Sequence, residues 1–239
     1  METEMYTERI AISQRAAAHI EVVRKEQGEA AAQEFETQYA SAIIHLRDQL
    51  KKVFPGRKRA KVIQNRVDRL IRRRESREFY GQASCTKGCS HCCYQYVAVT
   101  NDEALLLSDH IKTGEQVAHL ERQLQLSDID EEWVGKPPDL TRCVFLGDDG
   151  LCTVYNDRPL ACSSYFVTTD PEQCKMDRLG KRVASLFDVE VDLLVTAAYV
   201  VGGQGVMHKM LLKHVKNKKG IKWKTEEKSK NGQNTTPPT

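Results

Sequence analysis

The sequence predicts a mostly α fold: a helical N-terminal region followed by a small Cys-rich, metal-organised domain containing one β-hairpin. Three observations predict it. In the first 80 positions, apolar residues recur at spacings of three and four, the period of a helix face. All eight cysteines fall between Cys85 and Cys174, in segments broken by Gly, Ser and Pro. Two short runs of apolar, β-branched or aromatic residues flank Gly147-Asp148-Asp149-Gly150, as in a hairpin.

The elements follow in order. Residues 5–27 are Ala-rich and free of Pro and Gly, which predicts a first helix ending at Gly28. Phe35, Tyr39, Ala42, Ile43, Leu46 and Leu50 share one face of a second helix, which Phe54-Pro55-Gly56 ends. A third helix is predicted over 59–79, with Val62, Ile63, Val67, Leu70 and Ile71 as its apolar stripe and arginines opposite. From 81 the low helix propensity of GQASCTKGCSHCC indicates a metal-binding loop. Thr100 or Asn101, followed by acids and an apolar run, is a helix start. Further helices are predicted at 115–126, 183–201 and 205–215, the last two separated by Gly202-Gly203. The expected organisation is a helical region at 1–80, a cysteine-cluster domain at 81–215 and a disordered Lys-rich tail at 216–239.

Hydrophobic residues make up 40% of the 239, enough to bury a core. No run of about 18 apolar residues marks a membrane span. The start METEMYTERI lacks the apolar segment of a secretory signal. The expectation is a cytoplasmic protein, where thiols stay reduced and metal ligation is favoured over disulfides. The net charge of +3 conceals segregation. Residues 51–77 hold twelve Lys and Arg against two acids, residues 209–230 nine Lys against two Glu, and the remainder is acidic.

The cysteines are spaced Cys85-x3-Cys89-x2-Cys92-Cys93, then Cys143-x8-Cys152-x9-Cys162-x11-Cys174. Thiolates are soft ligands suited to zinc and to iron–sulfur clusters. Gly88 and Ser90 sit between candidate ligands, where the backbone has to fold around an ion. A tight turn at 147–150 would bring Cys143 and Cys152 together. In an extended segment Cys92 and Cys93 point to opposite sides, so the pair is expected to serve two metals, or to include a spare, unless the backbone bends. Eight thiolates would fill two four-cysteine zinc sites and exceed the four that a 4Fe-4S cluster takes; the spacing leaves both open.

CTKGCSHCC, then CVFLGDDGLCTVYNDRPLACSSYF and a last Cys174, resembles the YkgJ-type cysteine-cluster family, the CxxCxxCC zinc- or iron-chelating domain. The resemblance rests on Cys85, Cys89, Cys92 and Cys93; on Cys143; on Gly150, Cys152, Val154 and Tyr155; and on Arg158, Pro159, Cys162 and Cys174, over about 90 residues. The chain departs from the pattern at Ser163, where the family often carries Arg. The resemblance implies metal chelation. A similar cluster occurs in a flagellin lysine methyltransferase that looks iron–sulfur dependent, which implies an iron–sulfur enzyme modifying a protein or RNA as the alternative.

Tyr155 and Arg158 lie between two candidate ligands, and Arg158 is a candidate hydrogen-bond donor to metal-bound sulfur. The same segment reads equally as a turn and helix start at Pro159. His91 is either a ligand or a solvated loop residue; His110, His119, His208 and His214 lack partners at ligand spacing. The basic segment 57–77 has three readings: contact with nucleic acid or an acidic partner protein as part of an adaptor, a solvated face, or docking on the acidic body of this chain. No aromatic residues interleave with its arginines, which argues against single-strand stacking. VVGGQG at 200–205 lacks the strand and helix context of a nucleotide loop.

Overall fold

The computed structural model describes residues 12–73, 77–177 and 183–216. The first residues of the expected N-terminal helix and nearly all of the expected Lys-rich tail lie outside them.

Helix α1 (Gln14–Gln27) starts at Ser13, whose hydroxyl accepts from the Ala16 N–H at 3.0 Å, and ends at Gly28. Helix α2 (Glu29–Lys51) buries Ala32, Tyr39, Ile43 and Leu50 along the predicted face. Helix α3 (Arg57–Arg72) buries Arg59, Ala60, Ile63, Gln64 and Val67. Two details differ from expectation. Val62, 38% exposed, is off the buried stripe, because neighbouring helical positions point about 100° apart. The helix also stops early: Arg73 is extended, and a separate short helix α4 (Arg77–Gly81) follows.

Residues 91–94 form a 3-10 turn before strand β1 (Ala98–Thr100). Thr100 caps helix α5 (Asn101–Leu107) through a reciprocal capping box with Glu103. Helix α6 (Gly114–Arg122) repeats the device with Thr113 and Gln116. A one-turn helix α7 (Pro138–Thr141) precedes the 143–155 segment. The expected hairpin there is a reversal with one antiparallel bridge, Leu146 to Cys152, closed by Gly147 N–H to Leu151 O at 2.8 Å and Thr153 N–H to Phe145 O at 2.9 Å. Helix α8 (Leu160–Ser163) begins immediately after Pro159, and helix α9 carries Cys174–Asp177. Asp188 caps helix α10 (Val189–Gly202). Strand β2 (Gln204–Val206) leads into helix α11 (Met207–Lys216).

The two-stranded antiparallel sheet pairs β1 with β2, Ala98 opposite Val206 and Thr100 opposite Gln204. A three-residue strand more than 100 positions from its partner leaves no periodic signature, so residues 204–206 read from sequence as helix or loop. Two apolar clusters dominate. One joins α1, α2, α3, α8 and α10 around Ile43, Leu50, Val67, Leu160 and Leu194. The other joins β1, α5, α6, the 143–155 turn and α11 around Val99, Leu107, Leu120, Phe145 and Leu211, with Cys143 and Cys152 packed on its edge.

Buried carboxylates fasten these layers. Asp102 pairs with Arg59, both nearly buried, and accepts from the Gly56 N–H at 2.7 Å. Glu103, with no exposed surface, accepts from Leu160 N–H at 2.6 Å and Thr100 N–H at 2.8 Å. Asp192 on α10 accepts from Ser13 at 2.6 Å and from the Tyr39 hydroxyl, and pairs with Arg15.

Candidate metal centre

The first cysteine stretch is a tight loop. Gly88 sits at φ +91°, a conformation that favours glycine, and lets the chain turn between Cys85 and Cys89. Gly150, at φ +75°, brings the 143–155 turn against the Gly88 carbonyl: a Cβ there would lie 3.8 Å from that oxygen. The Cys143 N–H donates to the Cys93 carbonyl at 2.7 Å. Two stretches 50 positions apart in sequence are thus stitched together at their cysteines.

Cys92 and Cys93 do not lie in an extended segment. They occupy the 3-10 turn at 91–94, and the Cys92 thiol is hydrogen-bonded to Cys93. The bent backbone removes the alternation that would aim the two side chains apart.

Burial and neighbouring sulfurs shift four of the thiols. Burial pushes Cys143 up to about 12, with Cys152 and Cys92 adding to the shift. Burial also raises Cys162 well above the usual thiol range, helped by Cys143, Cys92 and Cys152. Cys152 is raised by burial and by Cys92. Cys92 is raised by its bond to Cys93, then by burial and the charge of Cys93. The opposing influences are local. Backbone groups of Phe145 and Leu146 favour the Cys143 thiolate, that of Val154 favours Cys152, and Arg158 lowers Cys92, Cys152 and Cys162. Arg158 also lies over the Tyr155 ring, 4.3 Å from its centroid. Metal-free, these thiols are neutral, because thiolates this close repel and lose hydration. A bound cation reverses both penalties.

The remaining cysteines flank this group. Cys89 is raised by burial, then by Cys85, Cys92 and Glu172, against the His91 backbone. The Cys85 sulfur accepts from the Val167 N–H at 3.5 Å. Cys174 is buried, its carbonyl accepting from Gln95 at 3.3 Å, and α9 packs on the 91–94 turn. His91 pairs with Glu172 at 3.3 Å. None of the eight cysteines forms a disulfide. Among the described residues, no three His, Cys, Asp or Glu side chains stand close enough to hold a metal ion as placed. The donor set therefore suits zinc or iron in chemistry, and holding an ion requires the sulfurs to close in further.

Residues 84–179 match the CxxCxxCC family model, described as "Putative zinc- or iron-chelating domain". That stretch of the chain is similar to a CxxCxxCC domain. It contains all eight cysteines together with Tyr155 and Arg158. No curated protein and no solved structure matches the chain. Among the described residues no helix is long and apolar enough to cross a membrane.

The basic segment has internal partners. Arg57 pairs with Asp109, Arg59 with Asp102, Lys61 with Asp157 and Arg73 with Glu190. Of its three readings, docking on the acidic residues of this chain accounts for these four cations.

The carboxylates that position the cysteine region, Asp102 and Glu103, were not legible as such. In sequence they read as first-turn acids of a helix, and nothing local shows that they reach Arg59 and Leu160.

Proposed function

We propose that the chain binds zinc or iron through Cys92, Cys143, Cys152 and Cys162, with Cys85, Cys89, Cys93 and Cys174 supplying a second, adjoining thiol set, and that the metal serves a structural role. The observation that carries this reading is the Cys143 N–H bond to the Cys93 carbonyl at 2.7 Å, which holds the two cysteine stretches together. Zinc supplies cross-linking of loops, and an iron–sulfur centre would add electron transfer. The chain's own residues do the rest. The 3-10 turn presents Cys92, the 147–150 reversal presents Cys143 and Cys152, and α8 presents Cys162. Arg158, fixed against Tyr155, offsets the charge of the sulfurs. We favour this unit, residues 81–215, over a nucleic-acid adaptor because the cations of 57–73 are largely engaged within the chain.

Metal content of anaerobically purified protein tests it. The expected result is about two zinc ions per chain, or a brown iron-containing protein. Cys152→Ser should lose at least one metal equivalent. Full metal content in Cys152→Ser would remove it from the ligand set.

A further inference from the structure

The connection between α2 and α3 carries the most exposed large apolar side chain among the described residues, Phe54, at 73%. Its neighbour Pro55 is also exposed, and Val53 is half-buried. The base of this turn is fixed from within. Gly56, at φ +87°, is buried against α5, where an added Cβ would lie 3.1 Å from the Leu105 side chain. The Gly56 N–H donates to buried Asp102 at 2.7 Å, and Asp102 also holds Arg59, the third residue of α3. The clamp keeps the apex of the turn, and Phe54 with it, on the outside.

The flanking charges narrow what covers that apex. Lys51 and Lys52 precede it and Arg57 and Lys58 follow, all exposed. The nearby carboxylates are already engaged: Asp48 pairs with Arg47 at 2.9 Å, and Asp109 pairs with Arg57. Lys51, Lys52 and Lys58 form no ion pair among the described residues. Three unpaired ammonium groups around one exposed aromatic ring match a surface that is anionic outside and apolar just beneath. Aromatic rings settle at the headgroup level of a bilayer, and lysines beside them meet anionic headgroups. We propose that the α2–α3 turn docks the chain on an anionic lipid surface, with Phe54 entering the headgroup layer and Lys51, Lys52 and Lys58 pairing above it. A contact of this kind lies on the membrane, is reversible, and needs no spanning helix. A single-stranded nucleic acid asks for successive stacking faces along a groove, and this apex offers one ring. The proposal does not rest on the identity of the metal.

The test is co-sedimentation of the metal-loaded full chain with vesicles of phosphatidylcholine alone and of phosphatidylcholine mixed with phosphatidylserine. The chain should bind the mixed vesicles and not the neutral ones, and added salt should weaken the binding. Phe54→Ser should weaken it about tenfold, because the ring no longer leaves water, whereas Phe54→Trp should preserve it. Lys51→Gln and Lys52→Gln should each weaken it about fivefold. All four positions substituted or flanking are exposed, so metal content and urea unfolding should stay as in the native chain. Vesicle binding unchanged in Phe54→Ser would come from charge alone, such as the lysines of 209–230, and would overturn the proposal. No binding to the mixed vesicles would overturn it as well. Binding of a single-stranded oligonucleotide that falls with Phe54→Ser, while vesicle binding does not, would assign the turn to nucleic acid instead.

Discussion

Replacing Glu103 by Ala removes the acceptor that ties the cap of α5 to the first residue of α8. Glu103 has no exposed surface; its two oxygens accept from Leu160 N–H and Thr100 N–H at 2.6 and 2.8 Å. Truncation leaves both donors buried and unpaired, at about 1–3 kcal/mol each. The expected loss is about 2–6 kcal/mol, a large share of the 5–15 kcal/mol typical of a domain. Glu103→Gln keeps one carbonyl acceptor and should lose about half as much. Urea unfolding at fixed pH and free metal concentration measures both. Burial raises the Glu103 carboxyl above its ordinary range. A raised folded-state value means that this group's contribution is full below the unfolded value of 4.5 and falls as pH rises through the folded value. Glu103→Gln should lack that decline. If both variants unfold within about 0.5 kcal/mol of the native chain, the reasoning about Glu103 is wrong.

Two further outcomes follow from the charged residues. Arg59→Ala leaves Asp102 buried without its cation and should cost about 3–5 kcal/mol, whereas Arg57→Ala, which breaks an exposed pair with Asp109, should cost under about 1 kcal/mol; equal costs in urea unfolding would contradict the assigned burial. Burial holds His208, packed beside Trp133, down to about 4. Its stabilising contribution is present above its unfolded value of 6.5 and is lost as pH falls towards 4, so His208→Leu should flatten the acid limb of stability over that interval. An unchanged acid limb would place the titration elsewhere.

The helical faces of α1 and α2 were legible because burial along them is periodic: Tyr39, Ile43 and Leu50 lie inside as their spacing requires. The cap at Thr100 was legible because a capping box is local in sequence. The sheet was not, since Ala98–Thr100 finds its partner only after the chain has passed through the whole cysteine region. The 143–155 reversal was legible as a turn from its glycines and acids, but its ladder shrinks to one bridge because Phe145 and Val154 are drawn into the second apolar cluster. That cluster also gives the cysteine region an apolar core. At the site, the cysteines announced themselves by type and crowding. The Cys92–Cys93 turn, and the stack of Arg158 on Tyr155, depend on backbone path and could not be read from spacing.

X-ray absorption at the zinc or iron edge of the purified, metal-loaded chain tests the central claim most directly. The account predicts a first shell made of sulfur at about 2.3 Å. A first shell dominated by nitrogen or oxygen would contradict it, because the ion would then be held by groups other than the thiols gathered from the 85–93 and 143–174 segments.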